Sequence, residues 1–139
     1  LSNFRNIDKA LKKEYTALVG TGENLMENCL FCKIVNNEID SQKVYEDEKL
    51  IAINDINPQA PIHILIIPRK HCATIMDLEE TDDNLVGSIF ITAKKIAREK
   101  ELDESGFRIV VNCGSGAGQT IFHIHFHLLG GRPMGWPPG

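Results

Sequence analysis

Apolar positions recur along this chain with two different periods, and the change of period marks its elements. Ile7, Leu11, Tyr15 and Leu18 recur at near-helical spacing and predict a marginal amphipathic helix over residues 5–18. Residues 20–24, with Gly20 and Gly22, read as a linker after it. A short helix is predicted over residues 28–36. Residues 43–46 and 50–54 read as two strands around a charged turn. Pro58 and Pro61 then break the chain, and the apolar run 62–68 predicts a third strand. Thr81, Asp82 and Asp83 supply an N-cap and early negative charge for a helix that runs to about residue 100. Leu85, Ile89, Ala93 and Ile96 form its buried stripe, with Val86 and Phe90 beside them. Residues 107–112 read as a fourth strand, 114–118 as a glycine-rich loop and 120–129 as a fifth strand. Neighbouring strands with short links and one long helix predict an antiparallel α+β fold.

Composition narrows the function classes. With 139 residues, the chain suits one domain with a real core. The net charge of −4 argues against a general nucleic-acid binder, which needs excess Lys and Arg to displace counterions. No apolar run approaches the roughly 20 residues of a membrane span. The first residues mix Arg5, Lys9, Lys12 and Lys13 with Asp8 and Glu14, and transit peptides avoid such acids. Only four cysteines are present, too sparse for a secreted disulfide scaffold, so a reducing cytoplasmic setting is expected.

The chemistry concentrates near the C-terminus. His123, His125 and His127 alternate with Ile124, Phe126 and Leu128. On a strand the three imidazoles would share one face, about 7 Å apart, while the apolar three bury on the other. A single histidine is more often a satisfied core residue. Three at period two have little packing value, because each needs partners when buried. Two readings remain: a zinc site, or nucleophilic catalysis by a neutral imidazole. The loop 114–118 leads into this segment, and its glycines let backbone N–H groups approach an anion. Cys29 and Cys32 are spaced as a redox pair, as half of a zinc site, or as two unrelated small residues. Cys72 and Cys113 read as small buried or half-buried residues.

The run from Gly118 through His123-Ile-His125-Phe-His127 to Arg132 resembles the signature of the histidine-triad family. The likeness extends through Phe31 to Ile34, Asp55-Ile56, Pro61 to His63, Ile67 to His71 and Val111-Asn112. The ending Gly-Gly-Arg-Pro-Met-Gly-Trp-Pro-Pro-Gly is similar to the purine nucleoside phosphoramidase branch. The resemblance covers residues 27–139 and leaves 1–26 as an N-terminal extension. It implies a histidine-triad fold with a five-stranded antiparallel sheet in each subunit of a homodimer, in the cytoplasm or the nucleus. It implies a purine nucleotide ligand of AMP type, with no nucleic-acid or membrane partner. His125 would be the nucleophile that becomes nucleotidylated. His127, Gly118, Gln119 and Thr120 would hold the phosphate, with Thr120 helping to protonate the leaving amine. His63 and His123 would orient the nucleophile. Asp55 would accept the ribose hydroxyls, although on its own it reads as a turn acid before Pro58. Leu30, Phe31, Ile34, Ile53 and Ile56 would form the base slot, with Asn54 beside it and Asn112 near the phosphate.

The same resemblance implies a structural zinc held by Cys29, Cys32, His71 and His123, with no metal required for catalysis. A dinucleoside polyphosphate hydrolase, a zinc-dependent hydrolase and a non-catalytic nucleotide-binding scaffold are the rival readings. The zinc-dependent one lacks a carboxylate base in the last strand.

Overall fold

The computed structural model describes residues 28–139, and the helix and linker expected over residues 5–24 lie outside them. Five strands, β1 (Lys43–Glu46), β2 (Leu50–Asn54), β3 (Ile62–Pro68), β4 (Phe107–Val110) and β5 (Phe126–Gly130), form one antiparallel sheet in the order β1-β2-β3-β5-β4. Among the described residues two α-helices complete the α+β architecture, α1 (Leu30–Val35) and α2 (Asp83–Glu99).

Both faces of the sheet are covered, so its central strands are apolar at nearly every position. Leu50 and Ala52 of β2, Ile64 and Ile66 of β3, and Phe126 and Leu128 of β5 pack against Ile89, Ala93 and Ile96 of α2. The intervening Ile51, Ile53, Leu65 and Ile67 pack against α1 on the other face. This alternation sends His63 and His127 to the α1 face, because β3 and β5 pair with Leu65 opposite His127. Arg69 ties α1 to the sheet. Its guanidinium donates to the carbonyls of Val35 (3.0 Å) and Asp47 (2.7 Å) and pairs with Glu46. Gly130 leaves room for Leu102, since a Cβ there would stand 2.5 Å from Leu102 Cδ1 and force that buried side chain to shift.

β1, β2 and β3 fall where the hydrophobic pattern predicts them. Four expectations are corrected. The fifth strand begins at Phe126, not at residue 120, so only His127 of the three C-terminal histidines lies in the ladder. Residues 119–125 leave it because Ile124 N–H donates to Cys72 O (2.7 Å) and the buried Gln119 is anchored to the loops around it. Burial of Ile124 with Phe126 and Leu128 nevertheless preserves the alternation through this segment. Thr81 does not cap the long helix. It sits within a 3₁₀ turn (Glu80–Asp82), and Asp82 occupies the cap position with its carboxylate engaged by Lys70 Nζ (2.8 and 2.9 Å) and Glu79 N–H (2.9 Å). The fourth strand ends at Val110 rather than residue 112, and Phe90 of the long helix is 48% exposed rather than core.

Candidate functional site

A cavity of about 650 Å³ opens on the α1 face. Leu30, Phe31 and Ile34 of α1 line it together with Ile53 and Leu65, which pack against them, and Ile56. Asn54 and Asp55 lie along it, and Thr120, His125 and His127 close one end. Of the predicted binding residues, Asn112, Gly118 and Gln119 do not line the cavity. The Gln119 side chain is committed to backbone. It accepts from Gly114 N–H (2.8 Å) and donates to the carbonyls of Ala73 (2.7 Å) and Ile121 (3.1 Å). Gln119 therefore shapes the glycine loop from behind, and Gly118 holds the positive φ of 93° that ends the loop's 3₁₀ turn. Leu65 and Ile121 escaped sequence reasoning, though burial on the α1 face follows from strand parity for Leu65. Asp40, Ser41 and Gln42 also line the cavity, and as polar residues before a strand they gave no signal.

Backbone partners decide which nitrogen of each imidazole carries the proton. His125 Nδ1 lies 2.8 Å from the carbonyl of His123. A carbonyl only accepts, so Nδ1 is the donor and the Nε2 lone pair is the free one. His63 shows the opposite state, since Gln59 N–H donates to its Nδ1 (3.0 Å). Its Nε2–H is then shared between His127 Nδ1 (2.9 Å) and Asp55 Oδ2 (3.3 Å). That bond leaves His127 with Nε2–H as its outward group, a donor suited to an anion. Asp55 also accepts Asn57 N–H on Oδ1 (2.8 Å), so it is both a turn acid and a cavity carboxylate. Arg132 Nε donates to Gln59 O (3.0 Å) and steadies this turn.

All these imidazoles are held neutral. Burial pushes His125 and His63 below their usual value, with the Asp55 carboxylate raising both in opposition. Burial, then the neighbouring His125 and His63, take His127 down to about 3. Asp55, His63 and His127 place three ligand-type atoms within 4.8 Å of one another. The proton on His63 Nε2 makes that trio a hydrogen-bond chain rather than a metal cage.

A second cluster lies across α1. Cys29, Cys32, His71 and His123 bring four ligand atoms within 4.8 Å of one another. Cys29 Sγ to His123 Nδ1 is 3.4 Å, Cys32 Sγ to His71 Nδ1 is 3.3 Å, and Cys32 Sγ to His123 Nδ1 is 3.5 Å. The two Nδ1 atoms stand 3.1 Å apart. Zinc bonds of about 2.0–2.3 Å set tetrahedral ligand atoms roughly 3.4–3.7 Å apart, so the set fits that ion. His123 Nε2–H donates to Pro68 O (2.7 Å), which turns the Nδ1 lone pair toward the cluster, the usual outer contact of a metal-bound imidazole. Burial takes His123 down to about 4, and burial followed by the adjacent Cys29 drives the Cys32 thiol up to about 12. Such a thiol gives up its proton to a metal rather than to water.

The His123 imidazole thus points into this cluster and not at His125. What it offers His125 is its backbone carbonyl. Phe31 stands between the clusters, its ring edge-on to both His125 (centroids 5.0 Å) and His123 (5.9 Å).

A family model described as HIT domain matches residues 36–134. A 14 kDa zinc-binding protein of Brassica juncea is 48% identical over 112 residues, which cover 79% of this chain and 98% of that protein. The crystal structure of a HIT family hydrolase from Legionella pneumophila superposes with a TM-score of 0.80 at 55% identity, over 81% of this chain and all of that one. A histidine triad nucleotide-binding protein from Candida albicans gives a TM-score of 0.69 at 36% identity, over 78% of this chain and 82% of that one.

Proposed function

This chain belongs to the HIT family, and on that premise we propose that it is a nucleotide hydrolase that cleaves the P–N bond of purine nucleoside 5′-phosphoramidates. The observation that carries the reading is the state of His125: neutral, buried, and fixed by the His123 carbonyl with its Nε2 lone pair unengaged. In this reading Nε2 attacks phosphorus, the P–N bond breaks, and the leaving amine takes a proton with help from Thr120. Water then attacks the nucleotidyl-histidine and releases the nucleoside monophosphate. Dividing one displacement into two steps lowers each barrier. His127 Nε2–H, which faces the cavity beside Thr120, stabilises charge on the phosphoryl oxygens. Asp55 accepts the ribose hydroxyls, and the base lies between the α1 residues and Ile53.

Zinc in the Cys29, Cys32, His71 and His123 set would act structurally, as a crosslink between α1 and the segment leading to His125. Four protein ligands close a tetrahedral site and leave no open position for substrate. The chain is further proposed to work as a homodimer in the cytoplasm, through residues 27–139. Support for the dimer comes from Phe90 and Ile91 of α2, 48% and 55% exposed, and from Phe107 of edge strand β4. All four cysteines are free thiols, as a reducing compartment requires.

The deciding experiment is hydrolysis of adenosine 5′-phosphoramidate by the wild type and by His125→Ala. Turnover by the first and none by the second supports the reaction and its nucleophile. Equal rates remove His125 from the mechanism, and silence from both removes the phosphoramidate.

A further inference from the structure

The cavity runs across the strands of the sheet. Its lining passes from His127 on β5 to Leu65 on β3, to Ile53 and Asn54 on β2, and to Asp40, Ser41 and Gln42 just ahead of β1. Asn54 N–H donates to Gln42 O (3.0 Å), which continues the sheet to that point. Neighbouring strands lie about 4.8 Å apart, so residues 40–42 stand three spacings, roughly 14 Å, from His127. A nucleotide with its phosphate at the imidazoles and its ribose at Asp55 would aim the outer edge of its base at these three residues.

That end of the cavity is polar, whereas its walls are apolar. The Asp40 carboxylate has no hydrogen-bond or ion-pair partner among the described residues. Ser41 Oγ is the one buried side-chain polar atom among them without a partner. An unpaired buried hydroxyl is costly, and turning about χ1 toward a ligand would relieve it. Gln42 Oε1 accepts from Asn54 Nδ2 at 3.4 Å, which leaves the Gln42 amide N–H groups available.

The donor pattern of this end suits one purine. A carboxylate only accepts, and it binds best to two adjacent N–H donors. Guanine presents N1–H and the exocyclic N2–H side by side, with the O6 acceptor next to them for an amide donor. Adenine presents the bare N1 lone pair at the same place, which a carboxylate repels. We propose that Asp40, with Ser41 and Gln42 beside it, reads the Watson–Crick edge of the base and makes the cavity selective for guanine over adenine nucleotides. The inference rests on the nucleotide reading above and specifies its base.

Calorimetric titration of the full chain with GMP and with AMP tests it, together with hydrolysis of the two corresponding phosphoramidates. The wild type is expected to favour guanosine by about tenfold or more in Kd and KM, the discrimination of one bidentate pair. In Asp40→Ala the ratio falls to near one, and the loss appears in Kd and KM for guanosine rather than in kcat. Asp40 is exposed and unpartnered, so the variant keeps its fold, which an unchanged melting temperature checks. Ser41→Ala should narrow the ratio in the same direction by less. Equal wild-type affinity for the two nucleotides, or a preference that survives Asp40→Ala, overturns the inference and leaves the nucleotide reading standing. Binding of neither nucleotide overturns both.

Discussion

Two clusters of imidazoles flank α1, and they differ in what their free nitrogens face. In the first, His71 and His123 turn Nδ1 toward each other and toward two thiols, so four donor atoms of the kind zinc takes converge on one point. In the second, Gln59 N–H begins a chain through His63 to His127, and the His123 carbonyl fixes His125, so every ring is already partnered. Residues 123–127 feed both clusters, with His123 facing one and His125 and His127 the other. For His123 and His125 it is not the residue type but the backbone carbonyl on one ring nitrogen that decides what the other nitrogen presents, and to which cluster.

Breaking the clusters one at a time should separate their roles. The largest effect is expected from His125→Ala, a loss of turnover of at least about 10³-fold with little change in thermal stability, as turnover assays and melting curves will tell. Cys32→Ser should do the reverse. It should abolish stoichiometric metal, read by elemental analysis of protein never exposed to added zinc, and destabilise by roughly 4 kcal/mol, the scale of a lost metal. In parallel, chelation should lower the melting temperature while turnover of the folded protein stays largely intact. Inactivation without unfolding would tie the metal to the chemistry.

A smaller effect follows from pH. Burial, then the neighbouring His125 and His63, lowers the folded-state value of His127 to about 3, against about 6.5 in the unfolded chain. The unfolded state therefore takes up its proton first. The stability this group contributes is complete above pH of about 6.5 and is lost as pH falls toward the folded value. The loss should run at about 1.4 kcal/mol per pH unit within that window. Denaturant titrations at pH 7 and pH 5 measure the slope, and a flat profile would mean that His127 takes up its proton as readily in the fold as in the unfolded chain. The smallest effect should come from Glu46→Gln, which removes an exposed, solvent-screened pairing with Arg69 and Lys43 and should leave the melting temperature essentially unchanged.

Much of this was legible in the sequence, for reasons that differ by segment. β1, β2 and β3 are bounded by local turn and proline signals, and their hydrophobic patterns decide them without tertiary help. The start of β5 is decided elsewhere, by the carbonyl of Cys72 and the three bonds of Gln119, and no local pattern encodes those. Alternation correctly separated Ile124, Phe126 and Leu128 from the histidines. It could not foresee that His123 turns toward the cysteine pair while His125 turns toward Phe31. The cavity's apolar wall was readable from Leu30, Phe31 and Ile34 by resemblance, whereas Asp40, Ser41 and Gln42 become part of it only once β1 is laid against β2.

Arg69 limits how this chain can be recombined with its relatives. Its guanidinium holds the last turn of α1 and the β1–β2 turn at once. A chimera that takes α1 from one parent and β3 from another must keep a planar donor at position 69, because an ammonium cannot reach both carbonyls with fixed geometry. Any parent supplies the two backbone carbonyls, so crossovers between α1 and β3 are tolerated wherever position 69 keeps its arginine.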